Sequence, residues 1–108
     1  MNKNQINIAI AMLRGWRFVD NDPDYEAYWE DPNGTKVAVN FIQYRVPNCA
    51  GCLNAMHETE CWLADGYPAT YEMYCREVAK VAHHPITIAA IVRAKLFVKT
   101  LGKWEDEE

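Results

Sequence analysis

The chain has 108 residues, with 11 basic and 15 acidic side chains giving a formal charge of −4, and half of it is hydrophobic. Four Trp, six Tyr and three Phe exclude a chain disordered throughout, and the sign of the charge disfavours a generic nucleic-acid clamp. The length suits one domain, taken as 1–104 with an acidic tail at 105–108, which buries roughly 65% of its unfolded surface and folds without disulfide staples.

No apolar run approaches the roughly 20 residues of a membrane span. Ile6, Ala9, Ile10 and Leu13 fall at i, i+3, i+4 and i+7 and predict a first helix over 4–14, with Asn4 as its cap and Gly15 at its end. Arg14, Gly15 and Trp16 follow it instead of a small-residue cleavage site, so it reads as a helix and not as a signal peptide. Trp16 to Val19 suggest a short strand and residues 20–24 a loop. Residues 25–30 and 36–42 then read as two strands joined by the turn Asp31-Pro32-Asn33-Gly34, with Val37, Val39 and Phe41 on the core face. Residues 43–52 read as loop, and Leu53 to Leu63 as a second helix ended by Asp65-Gly66. Pro68 suits the first turn of a third helix, whose stripe is Tyr71, Tyr74, Cys75, Val78 and Ala82. His83-His84-Pro85 breaks it, and Pro85 opens a fourth helix to about Leu101, stopped by Gly102. That helix is apolar on most sides (Ala90, Ala94, Phe97, Leu101; Ile88, Ile91, Val92, Val98) and is expected to be central. The expected fold class is α+β: a small antiparallel β-hairpin or three-stranded sheet packed with about four helices.

The sharpest chemical pattern is Cys49-x2-Cys52-x4-His57-x3-Cys61, the ligand order of a zinc knuckle with one residue fewer before the last Cys. Residues 53–60 look helical, so His57 and Cys61 share a face, and Cys52 converges on them only from a position before the helix begins. The competing reading is buried or half-buried thiols beside a helix-surface histidine. Cys49-Ala50-Gly51-Cys52 is also a C-x-x-C at a helix start, where the dipole lowers a thiol pKa, but the strand–loop–helix context of a redox site is missing. The four thiols are expected to be reduced. His83-His84 is a weaker metal or base candidate than a solvated helix junction. Arg93 and Lys95 lie on nearly opposite sides of the apolar fourth helix. One of them should be partly buried and held by a carboxylate, for Arg93 one of Glu58, Glu60, Glu72 and Glu77, as a structural ion pair or otherwise an anion site.

Charge is separated along the chain. Residues 20–31 contain six acids and no base, whereas Arg93, Lys95, Lys99 and Lys103 follow on the last helix and its exit. The acidic stretch is either a solvated hairpin or a protein-binding surface in which Asp22, Asp24, Glu26 and Asp31 surround the anchors Tyr25, Tyr28 and Trp29. Such a face suits a basic groove and can imitate phosphate.

Four elements together resemble a known group. They are Ile6-Asn7-Ile8-Ala9-Ile10-Ala11 followed by Gly15-Trp16; Trp29, Pro32 and Gly34; Leu53-Asn54-Ala55-Met56-His57-Glu58; and Arg93-Ala94 followed by Phe97, Lys99-Thr100-Leu101-Gly102-Lys103-Trp104. The series is similar to small tailed-phage and prophage proteins grouped as ABA-sandwich-like, α+β domains without an assigned function. Cys52 and Lys95 stand where that group usually has Asp and Glu, so the cysteines are not part of the resemblance. It implies a phage or prophage origin and the cytoplasm of a bacterial host, and it brings no catalytic residue.

The resulting expectation is a non-enzymatic phage protein that binds a host protein, one with a basic nucleic-acid-binding groove, and inhibits a defence system in the manner of an anti-CRISPR. It involves no direct nucleic-acid or membrane binding and no cofactor. The alternative is a phage accessory module binding zinc or a small ligand at Cys49, Cys52, His57 and Cys61. A third reading, an enzyme with Arg93 and His57 lining a pocket, lacks an evident second acid–base partner.

Overall fold

A computed structural model describes residues 1–81 and 89–102. The expected break at His83-His84-Pro85, the exit Lys103-Trp104 and the acidic tail fall outside those residues.

Helix α1 spans Lys3–Leu13. It is capped by Asn2 and not Asn4: the Asn2 side chain accepts from the Gln5 amide, and the Gln5 side chain accepts from the Asn2 amide. At its end Gly15 takes φ +109°, the Gly15 amide donates to Met12 O and the Trp16 amide to Ala11 O. This closure needs a positive φ, which glycine supplies without strain. Ile6, Ala9 and Ile10 face the main core as the spacing predicts, while Ala11 faces a second, smaller cluster.

Strands β1 (Arg17–Val19), β2 (Tyr28–Glu30) and β3 (Lys36–Ala38) form an antiparallel sheet in the order β1-β2-β3. Phe18, Trp29 and Val37 align across it on one face, and Val19, Tyr28 and Ala38 on the other. In the β2–β3 turn the Gly34 amide donates to Asp31 O, with Gly34 at φ +88°.

Strands β2 and β3 are shorter than the alternation predicts. After Ala38 the chain makes a 3-10 turn (Val39–Phe41) and then α2 (Ile42–Arg45), where the sequence reading had strand and loop. The period-2 pattern ends there, so Val39 and Phe41 are exposed, and Ile42 and Val46, four residues apart, turn inward instead.

Helices α3 (Leu53–Gly66), α4 (Pro68–Val81) and α5 (Ala90–Thr100) complete the body. Pro68 occupies the first turn of α4 as expected. Helix α5 begins at Ala90, after an extended Ala89 (φ −62°, ψ 150°); Pro85, where the sequence reading opens the helix, lies outside the described residues. It packs against α1, α3 and α4, the central position its sequence predicts. Met56 and Leu63 of α3, Tyr74 and Val78 of α4, and Ala94, Phe97 and Val98 of α5 join the α1 stripe in the main core, with Cys49 and Ala50. The smaller cluster, Ala11, Val37, Ile42 and Val46 with Ile8, Trp16 and Trp29 packed on it, holds the sheet to the body. Among the described residues no helix is long and apolar enough to cross a membrane.

Candidate functional site

The acidic loop lies between β1 and β2. Between Arg17 and Ala38 the chain carries six acids and two bases. Asp20, Asp24 and Glu26 are exposed, and Tyr25 is 57% exposed. Asp22 is spent on the loop itself: Oδ1 accepts from the Asp24 amide at 3.0 Å, and Oδ2 accepts from the Tyr28 hydroxyl at 3.2 Å. Tyr28 is buried. Its ring meets Tyr25 edge-on, and Lys36 Nζ lies 3.7 Å from the Tyr25 ring centroid and 5.3 Å from that of Tyr28. Asp31 Oδ1 accepts from the amides of Asn33 and Thr35 and so shapes the β2–β3 turn. Trp29 lies on the opposite sheet face, against Phe18 and the smaller cluster. The seven residues expected at a partner surface therefore divide: Asp24, Tyr25 and Glu26 are presented, Asp22, Tyr28 and Asp31 build the frame, and Trp29 faces away. Sequence reasoning missed Lys36. Pairing Glu30 with Lys36 across the turn would have placed its side chain on the Tyr28 face.

The Cys–His segment is not gathered in one place. Cys49 is buried before α3, Cys52 sits exposed at the α3 N-cap, and His57 and Cys61 are exposed along α3. Among the described residues no three His, Cys, Asp or Glu side chains converge as a metal site would require. The reason is local: the Cys49 thiol points inward and the other three groups outward. Burial pushes the Cys49 thiol pKa up, against the lowering expected of a C-x-x-C at a helix start. Arg14 Nη1 donates to Thr59 Oγ1 at 3.0 Å, the Thr59 hydroxyl and the Cys49 thiol share a hydrogen bond at 3.3 Å that either can donate, and Cys49 Sγ also lies 3.8 Å from Ala55 O.

The carboxylate holding Arg93 is Glu60. Arg93 Nη1 donates to Glu60 Oε2 at 2.8 Å, the Tyr74 hydroxyl donates to the same oxygen at 2.7 Å, and the pair's side chains are 8% and 10% exposed. His57 Nδ1 lies 2.9 Å from Oε1, off the alignment of a hydrogen bond, where a protonated imidazole adds a second cation. Burial, and then the bond to Glu60, push the Tyr74 phenol far above an ordinary tyrosine pKa. Lys95 is exposed. Of the bases expected to form a positive pole, Arg93 is thus internal, Lys95 and Lys99 are exposed, and Lys103 lies outside the described residues. His57 and Arg93 both address Glu60, and neither lines the cavity described next.

That cavity, of about 400 Å³, opens between α1, the β2–β3 turn, the segment before α3, and α3 itself. Arg14, Trp16, Arg45, Glu58 and Trp62 line it, with Cys49 at its inner wall. Its shape is held by Asn7, whose Oδ1 accepts from the Ala50 amide at 2.7 Å and whose Nδ2 donates to Asn48 Oδ1 at 2.9 Å. The chain matches no known protein family, no curated protein and no solved structure.

Proposed function

We propose that the chain is a non-enzymatic binding protein that docks on a basic surface of a partner protein through the loop between β1 and β2. The observation that carries this reading is Tyr25, 57% exposed between the exposed carboxylates of Asp24 and Glu26 and held beneath Lys36. An exposed aromatic fixed in advance loses little freedom on binding, and aromatic anchors supply much of an interface's energy. The surrounding acids speed encounter with a cationic surface and fix its orientation. The phage resemblance supplies the setting: a host protein of the bacterial cytoplasm whose nucleic-acid-binding groove accepts carboxylates in place of phosphates, as in a CRISPR or other defence system.

The test is affinity capture from host lysate with the natural chain, Asp24→Lys/Glu26→Lys and Tyr25→Ala. Asp22 is left in place because it holds Tyr28. The reading expects a basic partner that is lost with either variant and weakened by salt. Retention of every partner by both folded variants refutes it.

A further inference from the structure

The chain has five arginines, and three of them are matched to a carboxylate: Arg17 to Glu30, Arg76 to Glu72 and Arg93 to Glu60. The other two, Arg14 and Arg45, are within ion-pair distance of no carboxylate among the described residues, and these are the two that line the 400 Å³ cavity. Arg14 is half-buried and fixed: Thr59, itself fully buried, accepts one of its donors, and its guanidinium carbon lies 5.8 Å from the Trp62 ring centroid. A guanidinium held in place with donors to spare suits a phosphate or carboxylate, which it can grip with two parallel bonds. Two indoles, Trp16 and Trp62, line the same cavity and offer flat apolar surface. The carboxylate of Glu58 lines it as well and can accept from N–H or O–H donors on a ligand. Ligand sites typically run from about 300 to 1,000 Å³, so this cavity takes a small ligand.

We propose that this cavity binds a nucleoside monophosphate, its phosphate between Arg14 and Arg45, its base against Trp16 and Trp62, and Glu58 accepting from a hydroxyl or exocyclic amine. This class of ligand has each of the three features the lining addresses: an anion, a planar ring and outward donors. The site is separate from the acidic loop, so it stands whether or not that loop binds a protein.

The test is titration of the intact protein with AMP, GMP, CMP and UMP, followed by calorimetry and by tryptophan fluorescence. Inorganic phosphate and the matching nucleoside serve as separate probes. At least one nucleotide should bind with a Kd below about 1 mM, and phosphate alone and nucleoside alone each at least about tenfold more weakly. Arg45 is exposed, so Arg45→Ala should weaken binding about tenfold or more with an unchanged melting curve. Arg14→Lys, which keeps the charge but not the paired donors, should weaken binding as well. The proposal is overturned if no nucleotide saturates the protein, if phosphate alone binds as well as the nucleotide, or if folded Arg45→Ala binds undiminished.

Discussion

Replacing Glu60 tests the interior most directly. Its Oε2 accepts from both Arg93 and Tyr74, and the Arg93 and Glu60 side chains are 8% and 10% exposed, so solvent screens the pair little. Breaking a buried ion pair by removing one partner costs about 3–5 kcal/mol. Orphaning the Tyr74 hydroxyl adds about 1–3 kcal/mol. Glu60→Leu should therefore lose about 4–8 kcal/mol, a large part of the 5–15 kcal/mol of a typical domain. Glu60→Gln keeps an acceptor for both donors and removes only the charge, so its loss should be about 2 kcal/mol, with a melting temperature lower by roughly 8–16 °C. The triple variant Glu60→Leu/Arg93→Met/Tyr74→Phe replaces all three side chains by apolar ones and should be more stable than Glu60→Leu alone. Urea unfolding followed by circular dichroism measures all three, with an unchanged slope confirming that the same surface is exposed. The reasoning fails if Glu60→Leu costs less than about 1 kcal/mol, or if the triple variant is no more stable than the single one.

Three further expectations follow from individual groups. The raised Tyr74 phenol keeps its proton in the folded chain after the unfolded chain has lost it. Its contribution is therefore complete below about pH 10 and falls by about 1.4 kcal/mol per pH unit above; Tyr74→Phe should flatten that alkaline decline in a pH series of unfolding curves, and an unchanged slope would count against it. Cys49 is buried while Cys52, Cys61 and Cys75 are exposed, so Ellman's reagent should find three fast thiols in the native protein and four after denaturation; loss of a fast thiol in Cys49→Ala would contradict this. Gly15→Ala places a side chain at φ +109° but only in ordinary contact with Pro32, 3.6 Å away. Its cost is then backbone strain of about 1 kcal/mol, or roughly 4–8 °C in melting temperature, and no change would refute the strain argument.

What the sequence disclosed follows from which interactions are local. The α1 stripe, the Gly15 stop, the turn at Asp31–Gly34 and the Pro68 start are each set within a few residues, and each is where the pattern puts it. The Arg93 partner was legible as a class, since an arginine on an apolar helix needs a carboxylate, and Glu60 proved to be one of four candidates. Strand length was not legible. Val39 and Phe41 continue the alternation, but packing of Ile42 and Val46 beneath the sheet makes the chain helical at that point. The arrangement of the Cys–His segment was hidden for a related reason, because spacing says nothing about whether a thiol points inward, and the core takes Cys49. The cavity was invisible in the sequence. Its arginines are 31 positions apart, at Arg14 and Arg45, and only the packing of α1 against α2 brings them near one another.

The two clusters give the molecule an uneven stability. A sheet of three-residue strands is marginal on its own, so the acidic loop keeps its shape only while Val37 and Trp29 stay seated against Ala11, Ile42 and Val46. Among the described residues that cluster has four buried members, against twelve in the main core. The sheet therefore has the smaller buried apolar cluster to lose, the condition under which a region opens at lower free energy than the main core. The cavity lies across this seam: Pro32 of the turn lines it on one side and Trp62 of α3 on the other. A ligand seated there would touch both sides of the seam and, by that differential affinity, would favour the arrangement in which they are packed together.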